Sequence, residues 1–270
     1  MSTRVKSSPY LLAATVGLLS LLMVAGFLLL MQPKQVSSSG LAATIIAAPQ
    51  AEPDSVTVAG DLQSELGCPG DWQADCAVTH LTYDANDGVW QENWLVPAGS
   101  YEYKAALNDS WTENYGVGGA ASGANIPLSV TAEMTVSFFY DHKSHWIIDD
   151  VNAIIATAAG NLQSELGCSG DWDPGCLRSW LQDLDDDGIY TLEATGIPAA
   201  SYEFKVAIDQ GWTESYGVGG GADNIPFTIN DPTDRLIITW DSVSKIPTAE
   251  VQATVGPYTI TLVGNLQSEL

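Results

Sequence analysis

GDLQSELGCPGDWQADC at Gly60–Cys76 returns as GNLQSELGCSGDWDPGC at Gly160–Cys176, and Gly264–Leu270 reads GNLQSEL, a third opening. Self-similarity at a fixed period marks a repeat architecture, and here the period is 100 residues. The repeats run over residues 55–150 and 151–250, and residues 251–270 open a third that stops before its cysteine. A segment that stops inside its own repeat cannot finish a core, so the parent protein is expected to be longer.

Around this stretch the pattern is that of strands. Apolar and polar residues alternate in Tyr101-Glu102-Tyr103-Lys104-Ala105 and again in Tyr202-Glu203-Phe204-Lys205-Val206, as half-buried strands require. Further strands are expected at Val56–Ala59, His80–Tyr83, Val89–Val96, Ile126–Val130 and Thr135–Tyr140. Asn86-Asp87-Gly88, Asp186-Asp187-Gly188, Pro97-Ala98-Gly99 and Pro198-Ala199 punctuate them as turns. No helical periodicity is found beyond residue 31. About seven short strands in about 95 residues predict an all-β fold, a tandem of immunoglobulin-like β-sandwich modules.

The N-terminal residues stand apart. Arg4 and Lys6 precede an uncharged apolar run, Tyr10–Met31, closed by Lys34. About 20 such residues cross the roughly 30 Å of bilayer hydrocarbon as a helix, whereas a secretory h-region is about 7–15 long. Residues 1–31 are therefore a cleaved signal peptide or a retained membrane anchor, and both export the remainder of the chain. Residues 32–54 (VSSSG, AAPQAEP) read as linker. Beyond Ala51 the chain has all 33 acidic side chains and six basic ones, a net charge of −27. Such a surface repels phosphate backbones and anionic headgroups, so nucleic acid is excluded as a partner and a neutral ligand fits better.

All four cysteines sit in the two repeated loops, which in an exported chain predicts disulfides Cys68–Cys76 and Cys168–Cys176. One loop offers two thiolates and no histidine, too few for zinc. Asp183-Leu184-Asp185-Asp186-Asp187-Gly188 matches the opening of a calcium loop. The glutamate needed at loop position twelve is Ala194, and repeat one has Tyr83 and Ala85 at the first two carboxylate positions, so a turn is the better reading. No metal or cofactor is expected. His80, His142 and His145 all belong to repeat one, no nucleophile–base–orienter set stands within one module, and no catalytic residue is assigned.

The aromatic residues carry more information. Trp72 aligns with Trp172, Trp111 with Trp212, Tyr115 with Tyr216 and Tyr140 with Trp240, while Trp94, Trp146 and Trp180 have no tryptophan counterpart. Trp90 comes after a turn, enters an alternating strand and reads as core. Trp72 lies between Asp71 and Gln73 in the cysteine loop, and Trp111 comes directly after the turn Asn108-Asp109-Ser110. Large aromatics in such polar loops read as binding platforms, because an indole stacks on the apolar face of a pyranose. Lys104 points outward from its strand.

The stretches GDW, YEYKAALNDSW and ANIPLSV, with GDW, YEFKVAIDQGW and DNIPFTI in the second repeat, resemble the starch- and glycogen-binding β-sandwich modules, in particular those attached to bacterial pullulanases and amylopullulanases. The resemblance covers both repeats and the opening of the third. It implies α-glucan contacts by stacking at Trp72 and Trp111 and at Trp172 and Trp212. Lys104, Asn125, Lys205 and Asn224 would bond hydroxyls. It further implies that the parent is a secreted glycoside hydrolase of the pullulanase or amylase type, with catalysis beyond Leu270. Between Tyr115 and Asn125 repeat one is two residues longer than repeat two, so the ligand loops are expected to differ. The other reading is a disulfide-stapled spacer or surface-interaction module without sugar affinity.

Overall fold

The structure is a computed structural model that describes residues 51–254. The expected signal or anchor segment, most of the expected linker and most of the expected third repeat lie outside the described residues. Among the described residues no helix is long and apolar enough to cross a membrane. The fold is all-β, in two tandem modules of eight strands each.

Module 1 contains β1 (Val56–Gly60), β2 (Thr82–Asp84), β3 (Val89–Val96), β4 (Gly99–Leu107), β5 (Ser110–Tyr115), β6 (Ile126–Val130), β7 (Met134–Asp141) and β8 (Trp146–Asp149). One sheet has the order β1-β4-β5 with β6 also on β4, and the other runs β2-β3-β7-β8. Tyr103 pairs with Gly60 on one edge of β4 and with Ile126 on the other, so β1 and β6 flank it. Pro127 lacks an N–H and sits on the edge strand β6, where no ladder bond is lost. Val58, Tyr103, Leu128, Phe138 and Tyr140, drawn from both sheets, close the core between them.

Module 2 repeats this with β9 (Ala156–Gly160), β10 (Trp180–Leu181), β11 (Ile189–Ala194), β12 (Ala200–Ile208), β13 (Gly211–Tyr216), β14 (Ile225–Ile229), β15 (Arg235–Asp241) and β16 (Ile246–Gln252). Its sheets are β10-β9-β12-β13 with β14 on β12, and β11-β15-β16.

Three expectations need correction. Trp111 lies on strand β5, not in a loop: Asn108 and Asp109 take positive φ (both 55°), the two-residue hairpin geometry that returns the chain at once into a strand. The strand expected at His80–Tyr83 begins at Thr82, and His80 makes only an isolated bridge to Thr57. A single turn of α-helix, Gln63–Leu66, occurs where none was expected, and it is too short to leave a periodic signal.

The modules share an interface. Trp180 of module 2 meets Trp146 and Phe139 of module 1 at ring-centroid distances of 4.9 and 5.9 Å. Arg178 donates from Nε to the carbonyl of Asn86 and from a terminal nitrogen to the carbonyl of Ala85, each at 2.6 Å. The Leu177 N–H donates to Asp87 at 3.1 Å, and Gln182 donates to Asp141 at 2.8 Å. Val89, Phe139 and Trp146 belong to one buried cluster with the core of module 2. Trp146 and Trp180, which have no tryptophan counterpart in the repeat alignment, are thus the two halves of one contact.

Candidate functional site

Every residue of β1 is buried, although alternation should expose every second one. The reason is the stretch between β1 and β2, which folds back over the outer face of the sheet. Thr57, Ala59 and Ala106 lie beneath Ala74, and Thr57 Oγ1 donates to the Ala74 carbonyl at 2.7 Å. Small side chains at these positions allow the close cover. At Gly60 a Cβ would stand 2.2 Å from the Glu102 carbonyl oxygen, so glycine is required there.

The covering loop is held from inside. Gln63 is fully buried; its Oε1 accepts the Gln73 N–H at 2.7 Å, and its Nε2 donates to the Gln73 carbonyl at 2.9 Å and to Thr79 Oγ1 at 2.8 Å. Asp71 accepts the Ser64 N–H at 2.9 Å, and the Cys68–Cys76 disulfide closes the loop. Module 2 repeats all of this. Gln163 bonds both backbone groups of Asp173 (2.8 and 2.7 Å) and Ser179 Oγ (2.9 Å), Asp171 accepts from Ser164 (2.8 Å), and Cys168–Cys176 closes the loop. Sequence reasoning missed the glutamines. Their signal was a polar residue kept between Leu62 and Leu66 in all copies of LQSEL.

The loop presents Trp72, whose N–H donates to the Gly60 carbonyl at 3.1 Å. Trp72 has φ +56° and Trp172 φ +60°, left-handed backbone that is a genuine outlier for a bulky residue. Strain of this kind persists where surrounding structure over-determines it and clusters at ligand sites. Trp72 and Trp111 lie 6.2 Å apart with planes at 36°; Trp172 and Trp212 lie 6.5 Å apart at 35°. Trp111 is 39% exposed and Trp212 44%.

Lys104 projects from the same outer face of β4, with Nζ donating to Asn114 Oδ1 at 3.2 Å. Asn125 immediately precedes β6, where the Tyr103–Ile126 register places it next to Lys104 across the strands, and its Nδ2 donates to Glu102 at 2.9 Å. Lys205 and Asn224 take the same places on β12 and before β14. The structure therefore brings the eight sequence-assigned residues together as pairs, Trp72 with Trp111 and Lys104 beside Asn125 in module 1, and Trp172 with Trp212 and Lys205 beside Asn224 in module 2.

Behind β5, on the core side, Tyr115 donates to Glu113 at 2.7 Å, and burial first, then this carboxylate, push its hydroxyl up to about 12. Elsewhere, the carboxylates of Asp183, Asp185 and Asp187 lie within 4.8 Å of one another. Asp183 accepts the N–H groups of Asp187 (3.1 Å) and Gly188 (2.9 Å), as the side chain that opens a turn does.

Fold and site together define a class: tandem all-β modules, each stapled by one disulfide and each presenting a tilted pair of indoles. The Pullulanase X25 domain family matches residues 55–147 and again residues 155–247, and the chain belongs to that family. Among curated proteins it is similar to the amylopullulanase of Thermoanaerobacterium saccharolyticum, 32% identical over 66% of this chain and 14% of that protein. It is similar also to the amylopullulanase of Thermoanaerobacterium thermosulfurigenes, 30% identical over 67% of this chain and 10% of that protein. The chain thus spans a small part of the length of these relatives. A solved pullulanase from Bacillus acidopullulyticus aligns with 17% identity and a TM-score of 0.34 over 74% of this chain and 28% of that one.

Proposed function

We propose that the two modules bind α-glucan non-catalytically, each through its own group: Trp72, Trp111, Lys104 and Asn125 in module 1, and Trp172, Trp212, Lys205 and Asn224 in module 2. The single observation that carries this reading is the indole pair, one member of which is held in strained backbone, repeated within 0.3 Å and 1° between modules. Planes tilted by 36° suit the curved ribbon of an α-glucan better than a flat β-linked chain. The strongly acidic surface disfavours anionic ligands and leaves a neutral polysaccharide unhindered. Two sites on one chain gain avidity because the second contact is intramolecular. The modules are immunoglobulin-like sandwiches, exported, and part of a longer glycoside hydrolase of the pullulanase or amylase type.

Affinity electrophoresis in amylopectin tests the reading. Retarded migration of the parent chain is expected, with partial loss of retardation in Trp72→Ala/Trp111→Ala and full loss when Trp172→Ala/Trp212→Ala is added. Unretarded migration of the parent chain would sink it. A rigid spacer without sugar affinity is the second reading, and the module–module interface around Arg178 and Trp180 favours it.

A further inference from the structure

Module 2 carries, on its Asp183–Gly188 turn and the adjoining strand ends, the equivalent of the face by which module 1 holds module 2. In module 1 that face consists of Val89, Trp146, Asp87 and the peptide carbonyls of Ala85 and Asn86, buried against or bonded to module 2. Its equivalents in module 2 are Ile189, Ile246, Asp187 and the carbonyls of Asp185 and Asp186. Among the described residues Ile189 is exposed, Ile246 is 42% exposed and Val243 on the adjoining β15–β16 turn is 87% exposed, while Leu184 and Asp186 line a cavity together with Gly118 and Trp146 of module 1.

The face is also more acidic than its counterpart, because Asp183 and Asp185 stand where module 1 has Tyr83 and Ala85. Apolar side chains beside clustered carboxylates match a cation flanked by hydrophobic groups. Leu177-Arg178-Ser179-Trp180 is such a segment, and it is the one that module 1 receives. Gly264–Leu270 repeats Gly160–Leu166 residue for residue, so the chain carries the opening of the element that precedes that segment.

We propose that this face of module 2 is a docking surface for a further module of the same fold, which seats a basic residue against the Asp185–Asp187 turn and apolar neighbours against Ile189 and Ile246. The arrangement repeats the contact between modules 1 and 2 and turns the repeats into a stacked array. It does not depend on sugar binding.

The test continues the full chain after Leu270 with a copy of residues 167–254, a probe whose turn contains the Leu177-Arg178-Ser179-Trp180 sequence. Spin labels on module 2 and on the appended module report their separation by pulsed electron resonance. One narrow distance distribution is expected, broadened at least twofold by Arg178→Ala in the appended copy alone and by Ile246→Glu in module 2. Ile246 is a surface position, so its variant keeps the fold, which far-UV circular dichroism checks. A broad distribution before any substitution, or a narrow one that neither variant widens, overturns the proposal. Concentration-dependent association of the unextended chain that Ile246→Glu abolishes would assign the face to a second copy and overturn it as well.

Discussion

Gln63 holds Gln73 by both of its backbone groups, Oε1 on the N–H at 2.7 Å and Nε2 on the carbonyl at 2.9 Å, inside a site closed to solvent. Trp72, of the proposed platform, is therefore fixed by its neighbour's peptide and not by its own side chain. Gln63→Leu keeps the volume and strands these partners. A buried group without its hydrogen bond costs about 1–3 kcal/mol. Urea unfolding should show module 1 weakened by about 2–4 kcal/mol, together with lost retardation by that module. A loss below about 0.5 kcal/mol would mean that the clamp is dispensable.

Positive φ at Trp72 separates binding from stability. An L-residue in left-handed backbone costs roughly 1 kcal/mol that glycine avoids. Trp72→Gly should therefore be at least as stable as Trp72→Ala in thermal melts, by about 1 kcal/mol, while both variants lose glucan retardation by module 1 equally. Greater stability of the alanine variant would refute the strain assignment.

Each disulfide closes a loop with a sequence separation of eight residues. In the chain-entropy model this is worth about 2–3 kcal/mol. Cys68→Ser/Cys76→Ser should lower the stability of module 1 by that amount in urea unfolding. The buried Gln63 clamp should keep the loop closed enough for weakened, not abolished, retardation in amylopectin.

Arg178 joins the modules through two charge-assisted bonds to peptide carbonyls. Bonds to charged groups contribute about 1.5–3 kcal/mol each. With Arg178→Ala, differential scanning calorimetry should resolve two transitions where the parent chain shows one coupled transition. A single unchanged peak would show that Trp146 and Trp180 suffice.

His145 stacks on Tyr115 at 4.1 Å with planes at 6°. Burial first, and its neighbour His142 second, push its pKa below the ordinary value, against the raising effect of Glu113 and Asp141. The native ring thus stays neutral while an unfolded one still takes a proton near pH 6.5. Its contribution is present above about pH 6.5 and is lost as the pH falls through that value toward the native pKa. Urea midpoints of module 1 should fall between pH 7.5 and 5.5, and His145→Gln should flatten the slope. Module 2 holds Lys245 at this position, 5.0 Å over Trp240 and 5.6 Å over Tyr216, where a permanent cation is accommodated.

Much of the molecule is determined by the sequence alone. A 100-residue self-match delimits two modules, and period-two alternation such as Tyr101–Ala105 makes a strand with a defined inner face whatever surrounds it. Four cysteines confined to two loops leave local pairing as the simple outcome. What alternation cannot report is a second cover on the outer face: Thr57 and Ala59 are buried because a distant loop lies on them, and Gln63 is buried because its hydrogen-bonding groups meet partners inside that cover. Nor does a one-dimensional alignment explain Trp146 and Trp180, which break the repeat because they face each other across the junction of the two modules. Only the folded chain placed Trp72 6.2 Å from Trp111, since their 39-residue separation carries no information until β4 and β5 lie beside the loop. Strand identity is a short-range property of periodic side chains; the site is a long-range one, decided when hydrogen bonds and packing bring remote segments into register.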